Sequence, residues 1–238
     1  MKFDPPLTEV RLVRRYKRFL ADVEFSDGEI ITVHCANPGS MMGLTDSGIR
    51  AWISDSRNPK RKLRYSLEMV EANNTMVGIN TAHPNRLAIE ALSNGVIPEL
   101  STYDNLYTEK RYGENSRIDI LLTCDTAPDI YVEVKNVHFV RTPGLHEFPD
   151  SVTARGAKHL YEMAREVEKG NRAAMLYVIQ RNDGDRLRLA NDLDPAYVEA
   201  FQHATACGVE AYAVGCDVSP NGIDPVRPVT IEQLNTAT

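Results

Sequence analysis

Cysteine is scarce in this 238-residue chain: Cys35, Cys124, Cys207 and Cys216 are far apart and form no Cys-x-x-Cys pair. That spacing offers neither a disulfide framework nor a zinc knuckle, and a reducing cytoplasm is the expected home. Long apolar runs are missing as well. The most notable, residues 173–179, falls far short of the ~20 residues a membrane helix requires. The start, Met1-Lys2-Phe3-Asp4-Pro5-Pro6, lacks the apolar core of a secretory signal. Six histidines occur without His-Glu-x-x-His spacing, which argues against a structural zinc. Neither a G-x-x-x-x-G-K-[ST] phosphate loop nor a G-x-S-x-G elbow is present, so no nucleotide cofactor and no serine-hydrolase chemistry is expected. The single tryptophan, Trp52, is expected in the core.

What is present is ordinary for a folded chain: 42% hydrophobic and 25% charged residues exclude a disordered or collagen-like protein. A formal charge of −6 argues, taken whole, against a basic nucleic-acid protein. The charge is uneven, however. Residues 1–80 hold twelve Lys and Arg against ten Asp and Glu, a balance of +2, and the remainder holds fifteen against twenty-three, a balance of −8. Such a step predicts two domains, 1–80 and 81–238, with different partners.

Residues 7–13, 18–25 and 30–35 read as short strands, with Ser26-Asp27-Gly28-Glu29 as a hairpin turn. Asn37-Pro38-Gly39-Ser40 is a loop signal. A second hairpin pairs residues 49–54 with 63–70, leaving the basic tip 55–62 between them. Five strands with no convincing helix predict an OB-like five-stranded barrel. Beyond residue 80 the rhythm becomes α-β-β-α-β-β-α-β: helices at 84–94, 154–169 and 195–207, strands at 116–123, 129–137, 173–180, 187–190 and 209–214, and one more strand near 107–111. The fold class is therefore α+β in two domains, the second an α/β unit with a mixed sheet.

The sharpest chemical signal is Arg117-Ile118-Asp119-Ile120-Leu121-Leu122 followed by Ile130-Tyr131-Val132-Glu133-Val134-Lys135. Strand alternation places Ile118, Ile120 and Leu122 on one face, and lets Asp119, Glu133 and Lys135 converge across a hairpin. Two carboxylates with a lysine make a hard-cation site beside a cationic or proton-handling group, as metal-assisted phosphodiester hydrolysis needs. An exposed sheet face bearing a cross-strand ion pair is the alternative that spacing leaves open.

The flanking element order resembles the αβββαβ core of the PD-(D/E)xK nuclease superfamily, with Ile118-Asp119 where that motif has Pro-Asp. The resemblance implies Asp119 and Glu133 as ligands of Mg²⁺ or Mn²⁺, with the Val134 carbonyl as a further ligand, and Lys135 as the catalytic lysine. Glu90, on the preceding helix, is a candidate additional carboxylate. Gly113-Glu114-Asn115-Ser116-Arg117-Ile118-Asp119, Glu133-Val134-Lys135-Asn136-Val137 and the stretch from Phe148-Pro149-Asp150 to Lys158-His159-Leu160 are similar to signatures of the sugar fermentation stimulation protein A family. His34-Cys35-Ala36-Asn37-Pro38-Gly39-Ser40-Met41 resembles that family's barrel loop. The resemblance spans essentially the whole chain and implies an OB-like domain, a PD-(D/E)xK nuclease-like domain, sequence-nonspecific DNA binding, and a link to sugar, particularly maltose, utilisation.

Arg155, Lys158 and His159, on the first turns of the second helix, are candidates for holding phosphate beside the metal, with a solvated helix face as the alternative. Gln180, at the end of the apolar strand, reads as a strand-end polar residue. Two basic clusters mark the first domain. One is Arg11, Arg14, Arg15, Lys17 and Arg18 with Tyr16 and Phe19 interleaved; the other is Arg57, Lys60, Arg61, Lys62 and Arg64 at the hairpin tip with Tyr65 beside it. Basic grooves with aromatic platforms hold single strands, whereas phosphate contacts alone bind duplex. The expected partner is DNA, with RNA the second candidate. Two rival functions stand against a nuclease: a non-catalytic DNA-binding regulator on an inherited nuclease fold, and a two-carboxylate glycosidase, which explains neither Lys135 nor the basic barrel.

Overall fold

The computed structural model describes residues 1–113 and 116–232, and Glu114 and Asn115 of the quoted signature lie outside the described residues. The chain runs β1 (Thr8–Tyr16), β2 (Leu20–Glu24), β3 (Ile30–Cys35), β4 (Arg50–Asp55), β5 (Tyr65–Ala72) and β6 (Thr75–Gly78), then α1 (Pro84–Ser93). β7 (Asn105–Tyr112), β8 (Ser116–Cys124), β9 (Ala127–Val137), β10 (Phe139–Thr142) and β11 (Gly144–Phe148) lead to α2 (Ala154–Glu168). β12 (Arg172–Ile179), β13 (Gly184–Leu189), α3 (Pro195–Ala206), β14 (Glu210–Ser219), β15 (Gly222–Pro228) and β16 (Thr230–Ile231) follow. No described helix is long and apolar enough to cross a membrane.

The first sheet closes on itself: β1 pairs with β2 and β4, β2 with β3, β4 with β5, and a short parallel bridge joins β3 to β5. That circuit is the five-stranded OB barrel, and β6 adds a sixth strand on β5 that the sequence reading did not include. Its interior is filled by alternate residues such as Leu12, Ala21, Val23, Val33, Ile53 and Leu67, all nearly inaccessible. Trp52 is buried as expected, though on the outer face, where it joins Met69 in the core of the second domain.

The second domain is built on a mixed sheet of order β15-β14-β12-β9-β8-β7, with β12 parallel to β9 and β14 and the other pairs antiparallel. β12 is central. Its Ala174, Leu176 and Val178 face the core under α1, and Ala173, Met175, Tyr177 and Ile179 face the core under α2 and α3. The α1-β7-β8-β9-α2-β12 order is the αβββαβ core expected, with β10 and β11 inserted. These two join β13 and β16 in a small sheet of their own. Neither β10, β11, β15 nor β16 was anticipated, because short strands in polar sequence carry no period-two signal. Residues at the N-terminus cross over: Met1 and Leu7 pack in the α1 core, and Lys2 bridges to Gly222.

The barrel is latched to the second domain by Asp150. Its carboxylate accepts from Met41 N at 3.2 Å and Ser40 Oγ at 3.1 Å, and His138 Nε2 lies 3.6 Å away. Gly39 lets the carboxylate approach, since a Cβ there would sit 2.8 Å from Asp150 Oδ2 and push it aside. Burial opposes ionisation of Asp150, yet the nearby His138 ring and the hydrogen bonds from the barrel donors outweigh it and hold the carboxyl well below its usual range. A carboxyl with a depressed folded pKa stabilises above its unfolded value and loses that contribution as pH falls through the folded one. The stability gap between wild type and Asp150→Asn should therefore be full above about pH 4 and shrink progressively below it. Urea titrations across that range check this; a constant gap would show that the latch does not depend on the charge.

Candidate functional site

Alternation holds along β9, where Ile130, Val132 and Val134 join the α1 core while Glu133 turns toward α2. On β8 it breaks. Ile120 and Leu122 join the α1 core, but Ile118 packs with Leu160 and Tyr112 on the opposite face, which corrects the single face expected for all three. The break lies at Asp119. The β8–β9 register runs from Cys124↔Ala127 to Ile120↔Val132 and stops there, short of Asp119. Instead Val134 N donates to Asp119 Oδ2 at 2.8 Å, so a side chain takes the place of the ladder. Glu109, opposite on β7, adopts a φ of 54°, a left-handed conformation that accompanies the interruption.

Asp119 and Glu133 meet in the opening so created, lining a cleft of about 760 Å³ with Lys135, Ser116, Arg155, Lys158 and His159. Lys135 Nζ donates to Glu133 Oε1 at 2.6 Å, and His159 Nδ1 lies 2.5 Å from the same oxygen. Glu133 Oε2 is buried with no hydrogen-bond partner. Burial raises the Asp119 carboxyl above its ordinary value and the nearby charge of Glu133 raises it further. Burial also works against Glu133, but the hydrogen bonds of His159 and Lys135 and the charge of Lys135 reverse this and hold it low. An orphaned buried carboxylate oxygen beside a second carboxylate that resists ionisation fits a divalent cation: hard oxygen donors lacking the charge that would satisfy them. Among the described residues no third His, Cys, Asp or Glu completes a cage. The protein oxygens the cleft offers such a cation are the two carboxylates.

Glu90 does not join them. It pairs with the N-terminal ammonium of Met1 and with Arg86 at 3.3 Å. The α1 residue that reaches the site is Asn85, whose Nδ2 donates to Asp119 Oδ1 at 3.0 Å. Five positions on a helix turn about 140°, so the face that presents Asn85 carries Glu90 away. The stripe Leu87, Ala88, Ala91 and Leu92 fixes which face of α1 meets the core but not which flank of that face borders the carboxylate pair, so a single sequence does not choose between Asn85 and Glu90.

His159 also departs from expectation. It is 5% exposed, not on an outer face, because α2 buries a polar row of His159, Glu162 and Glu166 beside its apolar stripe. Glu162 accepts from Ser116 Oγ at 2.5 Å, and Glu166 from Lys169 and Asn171. Arg155 Nε donates to His159 Nε2 at 3.3 Å, which leaves Nδ1 as the protonated nitrogen toward Glu133. His159 thus positions a carboxylate, while Arg155 and the 60%-exposed Lys158 remain on the wall. Gln180, fully buried, donates to Asn136 Oδ1 at 2.7 Å and to the carbonyl of Asn80, joining the strand end to the barrel linker. The barrel contributes Pro38 and the linker Thr81 to the cleft, residues without any chemical signature in the sequence.

The basic residues of the barrel divide. Arg14 is committed to Asp22 at 2.8 Å and Arg15 to the carbonyls of Asn37 and Gly39. Lys17, Arg57, Lys60, Arg61 and Lys62 are exposed and, among the described residues, make no ion pair. Ion-pair chemistry, not the count of cations, decides which remain available to phosphate.

Comparison with known proteins agrees with this architecture. Residues 13–79 match the SfsA N-terminal OB domain and residues 82–222 the sugar fermentation stimulation protein RE domain. The sugar fermentation stimulation protein homolog of Allorhizobium ampelinum is 58% identical over 231 residues, covering 97% of this chain and 98% of the relative. That of Brucella ovis is 55% identical over 234 residues, covering 98% of each. The solved structure of Pyrococcus furiosus SfsA in complex with Ca²⁺ is similar at a TM-score of 0.87 and 25% identity, covering 98% of both chains. With both domain profiles matched and relatives above half identity along nearly its full length, the chain belongs to the sugar fermentation stimulation protein family.

Proposed function

We propose that this chain is a cytoplasmic protein that binds DNA without sequence preference and hydrolyses its phosphodiester bonds with the help of Mg²⁺ or Mn²⁺. The observation that carries the reading is the pairing of Asp119 with Glu133, whose Oε2 is buried without a partner, beside Lys135 in an open cleft. The Ca²⁺ of the Pyrococcus relative supports a hard-cation site in this family. A cation held by Asp119, Glu133 and the Val134 carbonyl would supply charge neutralisation and polarise a phosphoryl oxygen.

The chain's own residues do the rest. Asn85 and Val134 N hold Asp119 by both carboxylate oxygens, so its orientation is set before substrate arrives. His159 and Lys135 both hold Glu133 through Oε1, leaving Oε2 free toward the cleft. Lys135, on the strand that carries Glu133, either orients and deprotonates the attacking water or stabilises charge developing on phosphorus oxygens. Arg155 and Lys158 hold phosphate oxygens at the cleft wall, and the uncommitted cations of the barrel hold the backbone farther off.

The test is cleavage of single-stranded and duplex DNA, and of RNA, with Mn²⁺, Mg²⁺ or EDTA. Cleavage that requires the cation and is absent from Asp119→Ala is the expected result. Equal background from wild type and variant, with DNA binding retained, would overturn the enzyme and leave a non-catalytic DNA-binding regulator of sugar utilisation.

A further inference from the structure

Closure of the barrel joins two basic segments that are distant in sequence. The β3–β5 pairing sets His34 opposite Ser66, whose Oγ accepts from Arg61 Nη2 at 3.1 Å. On the other flank Leu20 pairs with His34, and Cys35 N donates to the Phe19 carbonyl at 2.9 Å. The rings of Phe19 and His34 are consequently near parallel, 14° apart in plane with centroids separated by 6.5 Å. Phe19 is 47% exposed, a large apolar ring left in water.

The turn that presents it is unusual. Lys17 and Arg18 both lie in the left-handed region, with φ of 48° and 61°. Glycine or asparagine would occupy those positions without strain, whereas other side chains cost roughly 1 kcal/mol each. Here the turn carries two exposed cations beside the ring, and among the described residues neither forms an ion pair. Arg61, with Lys60 and Lys62 next to it, flanks the other side through Ser66.

We propose that Phe19 and His34 form a stacking platform for the unpaired bases of single-stranded DNA, with these cations on its phosphates. The charge selects a polyanion, and the parallel rings select one whose bases offer their faces, which a duplex keeps stacked within itself. Extended chain from His34 to Pro38, in the cleft wall, spans at most about 14 Å, so a strand seated on the platform passes close to Asp119 and Glu133. The inference rests on the nucleic-acid reading above and sharpens it from DNA in general to the single strand.

The experiment uses the full chain in EDTA, so that cleavage plays no part, with a short labelled oligothymidylate and a hairpin duplex as probes. Phe19→Ala should weaken binding of the single strand by about 5- to 150-fold, the equivalent of ~1–3 kcal/mol for one stacked base. Duplex affinity and the salt dependence of both should stay within twofold of wild type. Lys60→Ala/Lys62→Ala should instead reduce the salt slope, by up to ~0.7 per lost contact on the single strand. Phe19→Trp should retain affinity and show fluorescence quenched by the single strand and not by the duplex, against the buried Trp52. Equal losses on both probes, or no loss with Phe19→Ala, would overturn the platform while leaving DNA binding intact. Failure of the wild-type chain to bind either probe would instead overturn the nucleic-acid reading itself.

Discussion

Lys135→Met should lower cation-dependent DNA cleavage by about 10²–10³-fold while leaving affinity for DNA in EDTA within about twofold. Lys135 is 16% exposed and is the only lysine or arginine, among the described residues, that hydrogen-bonds either carboxylate of the pair. A group that acts only as charge develops lowers the maximal rate and leaves ground-state binding alone. The variant has a second consequence. Removing one partner from a buried ion pair costs up to ~3–5 kcal/mol, and retention of His159 on Glu133 keeps the loss at the lower end. Glu133→Gln/Lys135→Met should recover most of that stability without recovering activity. Cleavage undiminished in Lys135→Met would show that the lysine serves only as the counter-ion of Glu133.

A divalent cation at a hundred times its dissociation constant should stabilise the protein by ~2.7 kcal/mol, raising the melting temperature by roughly 5–10 °C. Asp119→Asn should lose that response, and EDTA should return wild type to its starting value. The sign follows from the carboxylates. Burial, reinforced by Glu133, raises the folded pKa of Asp119, so its contribution favours the folded state below the unfolded value and is lost as pH rises through the folded one. Without metal, ionisation of Asp119 works against the fold, and a bound cation removes that penalty. Differential scanning fluorimetry with Mg²⁺, Mn²⁺ and Ca²⁺ reads this directly without any substrate. A melting temperature indifferent to all three would place the cation elsewhere or remove it from the reading.

Local patterning made much of this legible in advance. The all-apolar run that became β12, the amphipathic helix stopped by Gly170 and the Asp-Gly hairpin before β3 depend on neighbours a few residues apart. So does Glu133-x-Lys135, whose two side chains share a face because alternation is a property of one strand. The net charge of −6 was the least informative quantity, since it averaged a barrel whose cations are partly uncommitted with a domain whose carboxylates meet in a cleft.

By itself, then, the sequence determined the three helices, the longer strands and the two-domain class, and it put forward Asp119, Glu133 and Lys135 as residues that converge. Tertiary structure alone decided which helix face meets that pair, seating Asn85 and sending Glu90 to the N-terminus. It also turned His159 inward onto Glu133, committed Arg14 to Asp22, and brought Phe19, His34 and Arg61 together across the barrel seam. The physical reason is the range of the interactions. Period and propensity act over a few residues, whereas helix phase and barrel closure are settled by the packing of segments tens of residues apart, to which several local patterns are equally compatible.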